Sequence, residues 1–258
     1  MNFFAGKSIS IHKSAKLKSR GGDITLQAYH SFQILKKNPE SSLTIEGVVD
    51  ASSQDIGGKV IITADEILLS KKAKILSKGF NGGGKILIGG DWQGGALAEM
   101  KELEDIYEAM AVTVEKGVVI DASATIRGNG GKVVVWSNIN HPRSNTFVQG
   151  DLLAMGGKLS GKGGKIETSG GAIDFENINV STIASDGSAG EWLIDPWNFY
   201  FSTSQLETLA SNLGSNNITI STGSSSASGS PTTFLGRGHI VFGGNLSYTN
   251  GNARTLTL

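Results

Sequence analysis

The sequence predicts an all-β solenoid, a stack of coils whose short strands pair in parallel from one coil to the next, and three observations predict it. A phrase made of Gly-Gly, a charged residue and an alternating strand recurs as GGDITL at 21–26, GGKVII at 57–62, GGKILI at 83–88, GGKVVV at 130–135 and GGKIET at 163–168. The charged residues of the phrase, Asp23, Lys59, Lys85, Lys132 and Lys165, follow one another at intervals of 36, 26, 47 and 33 residues, a repeat whose loops drift in length. Composition supplies the means: 36 glycines in 258 residues with abundant Ser, Thr and Asn for turning, and enough Ile, Val and Leu to pack.

Period-two alternation assigns the two faces of each strand. The inward positions are Ile24/Leu26, Val60/Ile62, Ile86/Ile88, Val133/Val135 and Ile166/Thr168. The outward residue between them is polar in the outer copies, Thr25 and Glu167, and apolar in the central three, Ile61, Leu87 and Val134. Apolar outward side chains call for a cover, so Ile61, Leu87 and Val134 form a candidate patch, covered by a helix or bound by a partner. Gly-Gly is expected at the sharp bend between strands, where it permits positive φ and close backbone approach. Upstream, VDASSQDIGGK places Asp50 nine residues before Lys59, and IDASATIRGNGGK places Asp121 eleven before Lys132, one unit with a two-residue loop insertion.

The longest interval contains ALAEMKELEDIYEAMA at 96–111, a run of strong helix formers with Leu97, Met100, Leu103, Tyr107 and Met110 near one face. An inserted helix there is expected to fold back over Ile61, Leu87 and Val134. After residue 190 the phrase gives way to GEWLIDPWNFYFS, an aromatic stretch expected to join two runs of coils. A short helix is expected from about Gln205 to Leu213, after Ser and Thr caps and before Gly214. STGSSSASGSP at 221–231 is a low-complexity loop, and strands resume in GHIVFGGNLSYTNGNARTLTL, with an Asn-Gly turn at 250–251. The expected organisation is N-terminal coils over 1–56, Gly-Gly-Lys coils with the inserted helix over 57–190, and the aromatic junction, short helix and further coils over 191–258.

Lys plus Arg equals Asp plus Glu at 23 each, so no global field recruits nucleic acid, anionic lipid or an acidic substrate. The lack of cysteine excludes disulfides, thiolate metal sites and thiol nucleophiles. No window approaches the roughly 20 apolar residues of a membrane helix, so no membrane span is expected. The start, MNFFAGKSIS, lacks the order of a secretion signal, and the end, NARTLTL, stops as an uncapped strand; both ends are expected to be cut from something longer.

Chemistry-bearing residues are sparse. Asp91, Asp121, Asp151 and Asp195 fall near expected strand ends, where stacking could bring two of them to the spacing of about 5–9 Å used by glycosidase carboxylates. Asp beside Gly, Ala or Ser also caps turns through its own side chain, and that role is preferred because no basic cluster accompanies the acids. His12, His30, His141 and His239 are scattered without metal-ligand spacing. GFNGGGKI and GNGGKV place lysine directly after the glycines with no Ser or Thr behind it, unlike a phosphate loop. The basic run HKSAKLKSR at 12–20 has no interleaved aromatics and is expected to be a solvated face. Trp92, Trp136, Trp192 and Trp197 are expected to pack in core or junction rather than to stack on sugars. No catalytic residue, cofactor or metal is expected.

GGKILIGGDWQGG, then IDASA and GNGGKVVVWSN, then GGKIETSGG and GEWLIDPWNFYFS resemble, in that order, the filamentous haemagglutinin-type exoproteins of bacterial two-partner secretion, over roughly residues 57–258. The resemblance implies a right-handed parallel β-helix, export through a dedicated outer-membrane pore, and an extracellular or cell-surface place. It also implies a structural stalk or adhesive segment that meets a host-cell surface receptor or carbohydrate, without nucleic acid and without catalysis. Members of that family are far longer and carry a signal peptide and a secretion domain; this chain shows neither and is expected to be an interior or truncated fragment. The competing expectations are a β-helical carbohydrate-active lyase or hydrolase, and a non-functional piece of a larger exoprotein gene.

Overall fold

The computed structural model describes residues 1–28, 41–70, 72–95, 106–185, 187–222, 238–249, 252 and 254–258. The strands that carry the Gly-Gly phrase line up in one nine-stranded parallel sheet, sheet A. Its strands are Asn2–Ala5, Ile24–Ala28, Lys59–Thr63, Lys85–Ile88, Lys132–Trp136, Lys165–Gly170, Glu191–Pro196, Asn217–Ile220 and Leu256–Thr257. Ile24 stands beside Val60, Val60 beside Ile86, Ile86 beside Val133 and Val133 beside Ile166, so the five phrases are five consecutive rungs in one register. Every inward position read from the alternation is fully buried, Thr168 included.

Two further parallel sheets of six strands each close the coil. Sheet B runs through Ser8–Ile11, Ser42–Ile45, Glu66–Leu69, Ala111–Val114, Asn145–Val148 and Ala172–Asp174. Sheet C runs through Lys16–Lys18, Val48–Asp50, Lys74–Leu76, Val119–Asp121, Asp151–Leu153 and Asn179–Ser181. Each of the first six turns of the chain passes A, B, C and then a loop to the next strand of sheet A, which makes a right-handed parallel β-helix. Inward aliphatics from all three sheets, such as Leu43, Ile75 and Ile120, merge in one axial core.

The glycine pairs serve close approach. A Cβ on Gly131 would lie 1.9 Å from the Gly84 carbonyl oxygen, and one on Gly83 would lie 1.8 Å from that of Ala122. Stacked coils thus bring backbone against backbone at this corner, and no side chain fits between. Positive φ, the other expected reason for the pair, occurs only in the first copy, at Gly21 (φ 95°); the pairs of the later four copies are not left-handed.

The aromatic stretch after residue 190 adds the next rung: Glu191–Pro196 pairs in register with the whole of Lys165–Gly170, and Trp192 takes the inward place beside Ile166. Here the axial core turns aromatic. Phe175 meets Trp192 edge-on at 5.3 Å and stacks on Phe199 at 5.3 Å, while Phe199 and Phe201 cross at 4.4 Å.

The short helix, α1 (Thr203–Leu213), begins two residues before its expected start. A capping box fixes that start: the Ser202 hydroxyl accepts from the Gln205 N–H, and the Gln205 side chain accepts from the Ser202 N–H. α1 closes the edge of sheet C. The Asn212 side-chain oxygen accepts from the Val180 N–H at 2.6 Å and its amide donates to the Ile178 carbonyl at 3.0 Å. One step on, Asn216 accepts from the Thr182 N–H at 2.8 Å and donates to the Val180 carbonyl at 2.8 Å. Asn212 in the last turn of α1 and Asn216 just past its end thus meet alternate residues along the edge of sheet C.

The inserted helix expected over 96–111 is only partly testable, because 96–105 lie outside the described residues. Residues 106–110 are not helical, and Ala111 opens a sheet B strand. The reason is tertiary: Ala109, Val112 and Val114 are needed in the axial core, and the Met110 and Ala111 amides both donate to the Asp65 carbonyl. Most of the 221–231 loop and the Asn-Gly turn at 250–251 also lie outside the described residues. The resumed strands are Ile240–Phe242, paired with Phe199–Phe201, and Leu256–Thr257 at the end of sheet A.

Candidate functional site: the covered outer face of sheet A

One column of outward side chains climbs sheet A through Ile61, Leu87, Val134, Glu167 and Leu193. Ile61 is 5 % exposed, Leu193 4 %, and Leu87, Val134 and Glu167 not at all. The apolar members form a second core with Trp92, Trp136 and Ile139, and with the half-buried Ile106 and Trp197 packed against it. The cover follows from local geometry. After strand Lys85–Ile88 the chain turns away at Gly89 (φ 74°), where a Cβ would strike the Trp136 carbonyl, and at Gly90, where it would enter the Trp136 ring. Trp92 then lies back over the sheet, with the Lys165 ammonium 5.3 Å from its ring centre. Trp92, Trp136 and Trp192 therefore pack as core.

Glu167, taken from the sequence as an outward polar residue that needs no cover, is sealed under the same excursion. Its Oε2 accepts from the Gln93 N–H at 2.8 Å and its Oε1 from the Ser169 hydroxyl at 2.7 Å. Burial, with the nearby charges of Asp195 and Asp91 adding to it, pushes its carboxyl up to about 8 against those two hydrogen bonds. Asp91 and Asp195 are themselves 4 % and 3 % exposed, and Asp91 accepts the Trp92 N–H at 2.7 Å. Across the excursion, burial raises Glu108 to about 7. The structure therefore gathers Asp91, Asp195 and Glu167 beneath a cover. Nothing in the strand alternation marks Glu167 for burial, because the cover comes from residues 74 positions earlier in the chain.

The other acids stay apart. Asp121 accepts from the Ser123 N–H at 2.9 Å and pairs with Lys78 at 3.8 Å. Asp151, opposite Val119 in the next coil, accepts from the Asn179 side-chain amide at 3.2 Å. Asp50 repeats the pattern of Asp121, with Ser52 as donor and Lys18 as ion-pair partner at 3.4 Å. These are turn-capping and edge-pairing roles. His12 bonds Ser14, and the ring of His141 is held below its ordinary value by burial and by Arg143; His30 lies outside the described residues. Among the described residues no cluster of three or more His, Cys, Asp or Glu is placed to hold a metal ion, and no helix is long and apolar enough to cross a membrane.

No family model matches the sequence, and no curated protein matches it. Among solved structures, the crystal structure of the HMW1 secretion domain from Haemophilus influenzae is similar, with 25% sequence identity and a TM-score of 0.43. The match covers 75% of this chain and 48% of that one, so this chain spans about half the length of the structure it matches.

Proposed function

We propose that the chain is a non-catalytic stalk and binding-surface segment of a secreted, adhesin-like exoprotein. The observation that carries this reading is the unbroken register of sheet A across nine rungs. Parallel ladders over a continuous axial core make a stiff rod, and the corner loops become its variable surface. The phrases that carry the resemblance to haemagglutinin-type exoproteins are consecutive rungs of this one sheet, GGKILI, GGKVVV, GGKIET and GEWLID. A passive role is supported by the acids: Glu167 is sealed with both oxygens accepting hydrogen bonds, and Asp121 is engaged by a turn amide and a lysine. A polysaccharide reaching the corners would meet no free pair of carboxylates in those positions.

The test is fractionation of the source bacterium with an antibody against this segment, joined to binding of the purified chain to cultured epithelial cells. Surface or medium signal on a species larger than 27.0 kDa, with saturable cell binding, is the expected result. Signal confined to the cytosol overturns secretion, and release of sugar products from polysaccharide overturns the passive role.

A further inference from the structure

The corner that leads from sheet C back to sheet A carries one large exposed apolar side chain in each of four consecutive coils: Ile56 (58 %), Phe80 (41 %), Ile126 (39 %) and Leu159 (58 %). These are neighbours. The Ile126 N–H donates to the Phe80 carbonyl at 3.1 Å and the Leu159 N–H to the Ile126 carbonyl at 2.8 Å. Below them the Asn81 N–H donates to the Asp55 carbonyl at 2.9 Å. With coils about 4.8 Å apart, the four side chains form a ridge about 15 Å long. Isolated exposed aliphatics are ordinary on a protein surface, but a row of them on the neighbouring corners of four successive coils is not.

Charge around the ridge is one-sided although the whole chain is neutral. Arg20, Arg127, Lys158 and Lys162 are exposed along the same corner, and Lys78 lies between them, paired to Asp121. Among the described residues of these loops the carboxylates are Asp55 and, beside Arg20, Asp23, which accepts from the Lys59 N–H at 3.0 Å, so the cations outnumber them. Shape narrows the partner further. The hollow on this corner is lined by Lys18, Arg20, Ser52, Ser53, Gln54 and Asp55, all polar, so it offers no apolar seat to a peptide helix. A row of apolar tips between cations does fit a soft planar surface that admits the tips below its phosphates.

We propose that this Ile56–Phe80–Ile126–Leu159 ridge is a docking surface for an anionic lipid bilayer, with the tips in the interfacial region and Arg127, Lys158 and Lys162 on lipid phosphates. The association is peripheral, and it is independent of whether the chain is a stalk or adhesin.

The test is co-sedimentation of the purified chain with phosphatidylcholine vesicles, with and without phosphatidylglycerol, over a salt series. Binding is expected only to the anionic vesicles and is expected to weaken as salt rises. Phe80→Ser with Leu159→Ser is expected to abolish it. Arg127→Ser with Lys158→Ser is expected to weaken it about fivefold per charge. The substituted side chains are exposed, and circular dichroism of each variant confirms that the coil is intact. No binding to either vesicle, or equal binding by native and variant chains, overturns the proposal. Self-association that disappears in the Phe80/Leu159 variant without any vesicle binding also overturns it and assigns the ridge to a second copy.

Discussion

At the residue scale the outward column of sheet A separates what alternation can tell from what it cannot. Ile61, Leu87 and Val134 are legible as covered because three successive rungs place an aliphatic where water would otherwise be. Glu167 is not, because its fate is set by Gln93, far away in sequence. Its carboxyl and that of Glu108 have folded-state values raised above the ordinary 4.5, to about 8 and about 7. The folded protein therefore keeps protons that the unfolded chain has released, so the contribution of these two groups to stability is full below about pH 4.5 and is lost as pH rises toward 8. Glu167→Gln keeps an acceptor for Gln93 and can donate to the Ser169 hydroxyl. It is expected to match the native protein near pH 5 and to melt about 3 °C or more above it at pH 8, by calorimetry. Equal pH profiles for the two proteins would falsify the buried-acid account. A second residue-scale contrast tests the glycine corner. Gly131→Ala drives a Cβ into the Gly84 carbonyl, whereas a Cβ at Gly6 meets nothing within 4 Å. In urea melts the first is expected to lose about 3 kcal/mol and the second to stay near native; a tolerated Gly131→Ala removes close approach as the reason for the pair.

At the element scale, strands with a phrase were legible and strands without one were not. The strands of sheets B and C are three or four residues long, and apart from the VDAS and IDAS units that end Val48–Asp50 and Val119–Asp121 no shared motif announces them. They exist because each coil has to carry its chain round an axial core that sheet A alone cannot close. The rung Glu191–Pro196 is masked in the sequence for a different reason: Trp192 stands where earlier rungs have Ile or Val, and the rise in aromatics resembles a boundary. The run at 96–111 shows intrinsic propensity yielding to packing at its C-terminal part, where the Met110 and Ala111 amides bond the Asp65 carbonyl and Ala111 opens an interior strand of sheet B. The helix α1 could be found from its caps, but its purpose could not, since the Asn212 and Asn216 contacts appear only when helix and strand lie side by side. Asn212→Leu keeps the volume and leaves the Val180 N–H and the Ile178 carbonyl without partners. Each unpaired group costs about 1–3 kcal/mol, so the variant is expected to lose at least about 2 kcal/mol. An unchanged urea midpoint would mean that water replaces the asparagine and that α1 closes the sheet by its apolar face alone.

At the scale of the whole molecule the two ends of the described solenoid differ, and the difference is measurable. In a stack where each coil touches only its neighbours, local stability depends on how well each end coil is covered. Towards one end Asn212 of α1 and Asn216 just after it supply side-chain amides to Asn179–Ser181, and α1 buries Leu206 and Leu209 against the core. Towards the other, strands Ser8–Ile11 and Lys16–Lys18 pair on one side only, and their inward Ile9, Ile11 and Leu17 are only partly buried. One coil on, Leu43, Ile45 and Val49 are fully buried. A half-exposed aliphatic forgoes roughly 1 kcal/mol of burial, so the first coil is expected to open at a cost about 3 kcal/mol lower than the coil above it. Hydrogen exchange followed by mass spectrometry should then show Ser8–Ile11 and Lys16–Lys18 exchanging on the order of a hundredfold faster than Ser42–Ile45 and Val48–Asp50. Asn179–Ser181, an edge strand of sheet C by topology, should exchange like an interior one. Equal protection at the two ends would show that edge pairing by α1 adds nothing to the stack, and that the solenoid opens as one cooperative unit rather than from its less covered coil.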